Sequence, residues 1–186
     1  MKKNICVFGG SVSGKNIENQ KTAQIIGKII AENNFNIVFG GGENGIMGAV
    51  AQSGIQNGAK TTGIIPNFLL KKDILHSDHS EIFNSKLIKT ETMHQRKKLM
   101  YDKSDGFLVL PGGIGTLDEC FEVLTWCQLN QIKNKNVGII NFKGYWDPLI
   151  NLIKHIIKEE YLKPNDLNYF EEIKDVNTLK NFLKNI

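Results

Sequence analysis

The sequence predicts an α/β protein, a single doubly wound and mostly parallel sheet with helices on both faces. Three observations lead there. Short, wholly apolar runs alternate with longer amphipathic segments. The runs end at glycine clusters, and doubly wound sheets bind ligands beyond the carboxyl ends of their strands. The 186 residues, at roughly 100–200 per domain, make one domain over 1–186.

The first run, Ile5-Cys6-Val7-Phe8, stops at Gly9-Gly10, and the second, Ile37-Val38-Phe39, at Gly40-Gly41-Gly42. Thr62-Gly63-Ile64-Ile65 stops at Pro66, Phe107-Leu108-Val109-Leu110 at Pro111-Gly112-Gly113, and Val137-Gly138-Ile139-Ile140 at Asn141. Each has the length and apolar character of a parallel strand buried on both faces. Helical patterns occupy the intervals near 17–33, 46–57, 91–104, 116–131 and 145–159. The stretch 164–186 adds an edge strand and a last helix. The least regular segment, 66–85, reads as a lid or an inserted turn.

Apolar residues make up 41% and charged residues 23%, a globular balance that excludes intrinsic disorder, a collagen-like fibre and a membrane protein. Subtracting 19 acidic from 23 basic residues leaves +4, which tolerates anionic ligands but lacks the clustering of a nucleic-acid binder. Cys6, Cys120 and Cys127 are odd in number. On one helix Cys120 and Cys127 stand about 10 Å apart at a rise of about 1.5 Å per residue, too far to bridge. These features predict a reduced, cytoplasmic protein. The apolar stretch Ile5–Phe8 is too short for a signal peptide or a spanning helix.

Two biases are informative. Glycine contributes 18 residues, about a tenth of the chain against a usual ~7%. Eleven fall in three clusters: Gly9, Gly10 and Gly14; Gly40, Gly41, Gly42, Gly45 and Gly48; Gly112, Gly113 and Gly115. The basic residues are 22 lysines and a single arginine, Arg96. A chain so biased towards lysine keeps one guanidinium for a task lysine cannot do.

Gly9-Gly10-Ser11-Val12-Ser13-Gly14-Lys15-Asn16 comes within one residue of the phosphate-loop pattern G-x-x-x-x-G-K-[ST]. Asn16 is a poor substitute for the Mg²⁺-ligating hydroxyl, and no strand carries an acidic partner for the metal. The loop therefore reads as a glycine turn whose amides and Ser11 or Ser13 hydroxyls touch a ligand, with Gly9 and Ser11 as candidate contacts. The second cluster, Gly40 to Gly48, opens a helix of small residues. It reads either as a turn with close packing or as backbone approaching a ligand at Gly41, Gly42 and Met47.

Pro111-Gly112-Gly113-Ile114-Gly115-Thr116-Leu117-Asp118-Glu119 is the sharpest signal. The glycines bare their N–H groups, and Thr116 begins a helix whose positive end favours phosphate. Two readings of its carboxylates stand side by side. Thr116-x-x-Glu119 has the spacing of a capping box. Alternatively, phosphate lies on the amides and a carboxylate faces a carbon developing positive charge. In the helix Glu91–Ser104, steps of roughly 100° put Arg96 inside an apolar stripe of Met93, Leu99 and Met100. A charge there needs a partner. Its planar fork suits two-pronged contact with phosphate or carboxylate, unless it pairs with a local acid at the stripe's edge.

Residues 111–119 resemble the Pro-Gly-Gly-x-Gly-Thr-x-x-Glu motif of the LONELY GUY (LOG) family, and Met93-His94-Gln95-Arg96-Lys97 resembles its Met-His-x-Arg-Lys motif. The similarity runs from about residue 4 to 160. The resemblance implies a Rossmann-like homodimer, or higher homo-oligomer, acting on a nucleoside 5′-monophosphate. It would hydrolyse the N-glycosidic bond of AMP or N6-modified AMP (a cytokinin riboside monophosphate) to free base and ribose 5-phosphate, with no cofactor or metal. It implies Arg96 and Glu119 as the catalytic pair. Nucleotide contacts would come from Lys97, Gly112, Gly113, Ile114, Gly115, Thr116, Leu117, Asp118 and Thr125, with Met93 and Asp73 beside them. Two departures stand out: the family's Glu-Glu is Asp118-Glu119 here, and the chain is a few residues longer between Pro66 and Met93. The label "lysine decarboxylase-like" also attaches to the family, but no pyridoxal site is legible here.

Other residues read blandly. His76 and His79 have a ligand-like spacing without further Cys or His nearby, so no metal site is expected. His155 reads as a surface helix residue, and Phe121, Val123 and Trp126 as core or dimer surface. His94 lines the site beside Arg96. No nucleic-acid or membrane partner is expected. A competing reading is a carrier that binds a phosphorylated cofactor such as molybdopterin without turnover, since it shares this fold and its loops; another is a regulatory nucleotide-binding module.

Overall fold

Apolar side chains on both faces leave the five runs no stable position except the interior, and they form the centre of one parallel sheet. The computed structural model describes residues 2–70, 86–132 and 135–186. Its strands are β1 (Asn4–Phe8), β2 (Asn36–Phe39), β3 (Thr61–Pro66), β4 (Lys86–Thr90), β5 (Gly106–Val109), β6 (Asn136–Ile140) and β7 (Glu171–Ile173). They lie in the order β4-β3-β2-β1-β5-β6-β7, with every pairing parallel. The helices are α1 (Ile17–Glu32), α2 (Gly45–Gln56), the short α3 (Asn67–Leu70), α4 (Met93–Asp102), α5 (Ile114–Gln128), α6 (Asp147–Lys158) and α7 (Val176–Lys184).

Successive strand residues point to opposite faces, so each central strand feeds two cores. Ile5 and Val7 join α1, α2 and α7 on one face, whereas Cys6 and Phe8 join Met100 and Tyr101 of α4, Cys120 and Val123 of α5, and Ile150 of α6 on the other. Asn16, the residue that spoils the phosphate-loop pattern, has a local task. Its side chain accepts the Glu18 N–H at 3.0 Å and caps α1. The three cysteines are buried and free. Among the described residues, no helix is long and apolar enough to cross a membrane.

Two differences from the sequence reading have clear causes. Strand β4 is an edge strand among the described residues, and Lys86 and Lys89 interrupt the all-apolar pattern that marks the interior strands. Helix α5 starts at Ile114 rather than Thr116, with Gly113 as its N-cap and no side-chain cap. Thr116 and Glu119 therefore do not form a capping box: Thr116 is already inside the helix. Of the segment 66–85, Pro66 ends β3 and 67–70 form α3; the remainder lies outside the described residues.

Helices α1 and α2 pack closely because a glycine sits between them. A Cβ on Gly27 would stand 2.3 Å from the Val50 carbonyl oxygen and 3.0 Å from the Gly54 nitrogen. Backbone cannot yield as a flexible side chain can. Gly27→Ala is expected to destabilise the protein by about 1–3 kcal/mol through overpacking, measured by urea unfolding; unchanged stability would show that the helices separate freely.

Candidate active site

The chain runs outwards from β1 through β2, β3 and β4, then returns to place β5 on the other side of β1. The crevice between the carboxyl ends of β1 and β5 is therefore the topological switch point. Backbone hydrogen bonds hold its rims together. Gly10 N–H donates to the Pro111 carbonyl at 3.0 Å, and the Gly10 carbonyl accepts Ile46 N–H at 2.9 Å and Met47 N–H at 3.2 Å. The first helical bond of α5 runs from Leu117 N–H to the Gly113 carbonyl. The amides of Ile114, Gly115 and Thr116 precede it and remain available to a ligand. The Cβ directions of Gly113 and Gly115 open onto nothing within 4 Å.

Arg96 reaches this edge from α4, whose first turn is fixed by Thr92 accepting Gln95 N–H at 3.2 Å and Gln95 accepting Glu91 N–H at 2.9 Å. Its Nε donates to the Ile64 carbonyl at 3.1 Å, its Nη2 lies 3.5 Å from the Gly40 carbonyl, and its Nη1 is 3.4 Å from Glu119 Oε1. The guanidinium thus joins the ends of β2 and β3 to α5. Arg96 is 8% exposed and Glu119 5%. The fork expected from the sequence to make two-pronged contact makes only one with carboxylate: its Nε and Nη2 turn to backbone carbonyls, and Nη1 also lies 3.9 Å from Met93 Sδ. Gly40 makes room for it: a Cβ there would lie 1.9 Å from Arg96 Nη2 and 3.0 Å from Met47 Sδ.

The neighbouring Lys97 is buried between carboxylates. Its Nζ lies 3.0 Å from Asp118 Oδ2 and 3.0 Å from Glu122 Oε2, and Tyr101 donates its hydroxyl to Glu122 at 2.5 Å. Burial works against the Lys97 charge, but Glu122 and Asp118 outweigh it and hold the ammonium protonated above its ordinary range. Glu119 shifts the other way for an acid. Burial pushes its carboxyl up to about 7; Arg96 and Lys97 oppose the rise, and Asp118 and Glu122 add to it.

The structure brings together Gly9, Gly41, Gly42, Met47, Met93, Arg96, Gly112–Leu117 and Glu119 at the carboxyl edge, with Ser11 exposed on the outer rim. Asp118 is exposed and turned towards Lys97. Thr125 stands apart. It is exposed further along α5, its hydroxyl donates to the Phe121 carbonyl at 2.7 Å, and it lines an apolar groove with Phe121, Leu124, Ile156 and Leu162. His94 and His155 are exposed. Asp73, His76 and His79 lie outside the described residues. Among the described residues, no group of three or more His, Cys, Asp or Glu is arranged to hold a metal ion. Sequence reasoning missed Gly40, Glu122 and Tyr145. Of these, Glu122 had a usable signal, one helical turn beyond Asp118 and Glu119. Tyr145, whose hydroxyl donates to the Gly112 carbonyl at 2.7 Å, had none.

A family profile described as "Possible lysine decarboxylase" matches residues 47–183. A protein of Oryza sativa subsp. japonica named probable cytokinin riboside 5′-monophosphate phosphoribohydrolase is 39% identical over 163 residues, covering 88% of this chain and 63% of that protein. A cytokinin riboside 5′-monophosphate phosphoribohydrolase of Arabidopsis thaliana is 40% identical over 162 residues, covering 87% and 72%. The chain thus spans a little under two thirds of the rice relative's length. Among solved structures, the molybdenum cofactor binding protein of Rippkaea orientalis superposes with a TM-score of 0.70 at 22% identity, covering 99% of this chain and 96% of that one. The molybdenum cofactor carrier protein of Chlamydomonas reinhardtii gives 0.70 at 19% identity, covering 99% and 97%. At that identity the likeness concerns fold alone.

An acid whose proton is held more tightly in the folded protein costs stability as it ionises. With Glu119 raised from 4.5 to about 7, folding stability should fall as pH climbs through that window, by about 3 kcal/mol at ~1.4 kcal/mol per pKa unit. Urea unfolding from pH 4.5 to 8 is expected to show this loss in the wild type and not in Glu119→Gln; parallel pH profiles for the two proteins would contradict it.

Proposed function

The chain belongs to the LOG family, and on that premise we propose that it is a nucleoside 5′-monophosphate phosphoribohydrolase, hydrolysing AMP or N6-modified AMP to free base and ribose 5-phosphate. The observation that carries this reading is the buried Arg96–Glu119 pair beside an open, glycine-lined helix start. The relatives at 39–40% identity support the same chemistry.

Phosphate binds on the amides at Gly113–Thr116, where the helix dipole favours an anion. As the base departs, C1′ of the ribose gains positive charge, as in glycoside hydrolysis generally. Ionised Glu119 stabilises that charge and orients the attacking water. Water supplies a hydroxyl to C1′ and a proton to the departing base. Arg96 holds the Glu119 carboxylate in place through the contact at 3.4 Å. The remaining substrate contacts read from the motifs belong to the same proposal: Gly9, Ser11, Gly41, Gly42, Met47, Asp73, Met93, Lys97, Gly112, Leu117, Asp118 and Thr125. The departure at Asp118 shortens a carboxylate whose partner is Lys97, so it alters the α4–α5 ion pair and leaves the Glu119 position unchanged.

A lysine decarboxylase reading is disfavoured by this pair. Lys97, the one buried lysine among the described residues, is gripped by Asp118 and Glu122 and held protonated, whereas a Schiff-base lysine needs a depressed pKa. Homodimerisation belongs to the proposal too. The apolar groove that includes Thr125, and the half-exposed Phe121 beside it, suit packing against a second copy. Three buried, unpaired cysteines favour a reducing, cytoplasmic location.

Incubation with a panel of nucleoside monophosphates, followed by chromatography of free base, tests the activity. Glu119→Gln and Arg96→Lys should each lower turnover by about 10²–10³-fold with the fold retained; near-normal AMP hydrolysis by Glu119→Gln would overturn the assignment. Because Glu119 must be ionised, and its carboxyl lies at about 7, kcat/KM should fall tenfold per pH unit well below neutrality. A flat profile down to pH 5 would remove Glu119 from the reaction.

A further inference from the structure

We propose that Tyr145 is a positioning residue: by holding the Gly112 carbonyl, its hydroxyl fixes the Gly112–Gly113 peptide plane and aims the Gly113 N–H at the phosphate. The inference rests on the hydrolase reading above and adds a residue from the connection that follows β6. The contact spans two separate connections, the turn after β6 and the loop after β5, and measures 2.7 Å. In a trans peptide, the carbonyl and the following N–H point in opposite directions. Anchoring the Gly112 oxygen towards Tyr145 therefore turns the Gly113 N–H away from it, and no atom crowds the Gly113 Cβ direction within 4 Å. Glycines flank that peptide on both sides, so the backbone itself resists rotation least there. Gly112 is backed by Thr116 Oγ1 and the Gly10 nitrogen, 2.1 and 2.8 Å from where its Cβ would be, which leaves the carbonyl side as the one to be secured.

Tyr145 can serve as an anchor because its own backbone is rigidly placed. Asn141, 4% exposed, donates its side-chain amide to Asp147 at 2.7 Å and to Glu172 at 2.6 Å, and accepts Trp146 N–H at 2.7 Å. Between these points Lys143 (φ 62°) and Gly144 (φ 76°) both adopt left-handed backbone, a conformation that costs a non-glycine residue energy and persists where its surroundings enforce it. The tyrosine ring packs edge-on against buried Trp146 at 4.7 Å, yet Tyr145 is 43% exposed, so the hydroxyl is the part of the side chain that reaches the loop. The hydrophobic core does not need that oxygen.

Tyr145→Phe keeps the ring and its packing and removes only the hydroxyl. Losing one such hydrogen bond at the loop should raise KM for the nucleoside monophosphate, and the inhibition constant of ribose 5-phosphate, by about fivefold to tenfold. Turnover at saturation should stay within about threefold, and inhibition by the free base, which has no phosphate, should be unmoved. A merely structural role would instead lower the unfolding midpoint and leave those constants alone. Equal KM and equal ribose 5-phosphate inhibition in both proteins overturn the inference. Should the wild type release no base from any monophosphate, the hydrolase reading fails, and calorimetric titration with ribose 5-phosphate still decides: weaker binding by Tyr145→Phe supports the anchor, while equal binding, or none by either protein, overturns it.

Discussion

Arg96 and Glu119 are both out of water, and desolvating such a pair costs several kcal/mol per ion before any attraction is counted. A single contact at 3.4 Å is weak compensation. The surrounding fold supplies the rest: the Ile64 and Gly40 carbonyls accept from Nε and Nη2 of the guanidinium, and the absent Cβ of Gly40 gives the group its space. Two strand ends and two helices must therefore be in register for the pair to exist. The doubly wound sheet provides that register, because parallel pairing brings the carboxyl ends of its strands to the same edge. An ion pair this expensive is a poor device for stability and a good one for keeping a carboxylate near its point of ionisation.

The charge arrangement along α4 and α5 explains why Glu119 sits there. Asp118, Glu119 and Glu122 face two cations, Arg96 and Lys97. Lys97 is shared by the outer two acids, which leaves Glu119 with a cation already committed to backbone carbonyls. The proton on Glu119 is thus held by burial and by an excess of negative charge, against the opposition of Arg96 and Lys97. Tyr101 reinforces the grouping from beneath by donating to Glu122.

The interior of the fold was legible because parallel strands buried on both faces have nowhere to put polar residues; Ile5–Phe8 and Phe107–Leu110 declare themselves. Strand β4 did not, since Lys86-Leu87-Ile88-Lys89-Thr90 mixes charge with apolar residues, as an edge permits. Arg96 was legible from its isolation among lysines and its place on an apolar stripe. Glu119 carried two readings, cap or site, and only the helix start at Ile114 separated them, because a two-residue shift changes what a Thr-x-x-Glu spacing means. Tyr145 lay beyond sequence reasoning altogether. Its partner is a carbonyl 33 positions away, and backbone acceptors leave no pattern in a string of side chains. The same holds for Gly40, whose importance lies in what it lacks.

The mixed character of β4 has a further consequence. Among the described residues no strand pairs with its outer side, and such an edge is a template on which another extended chain could lengthen the sheet. Lys86 and Lys89 are exposed on that strand, so a second copy pairing through its own β4 would bring its lysines into like-charge confrontation. The residues that hid this strand from pattern recognition also guard the molecule against ordered aggregation.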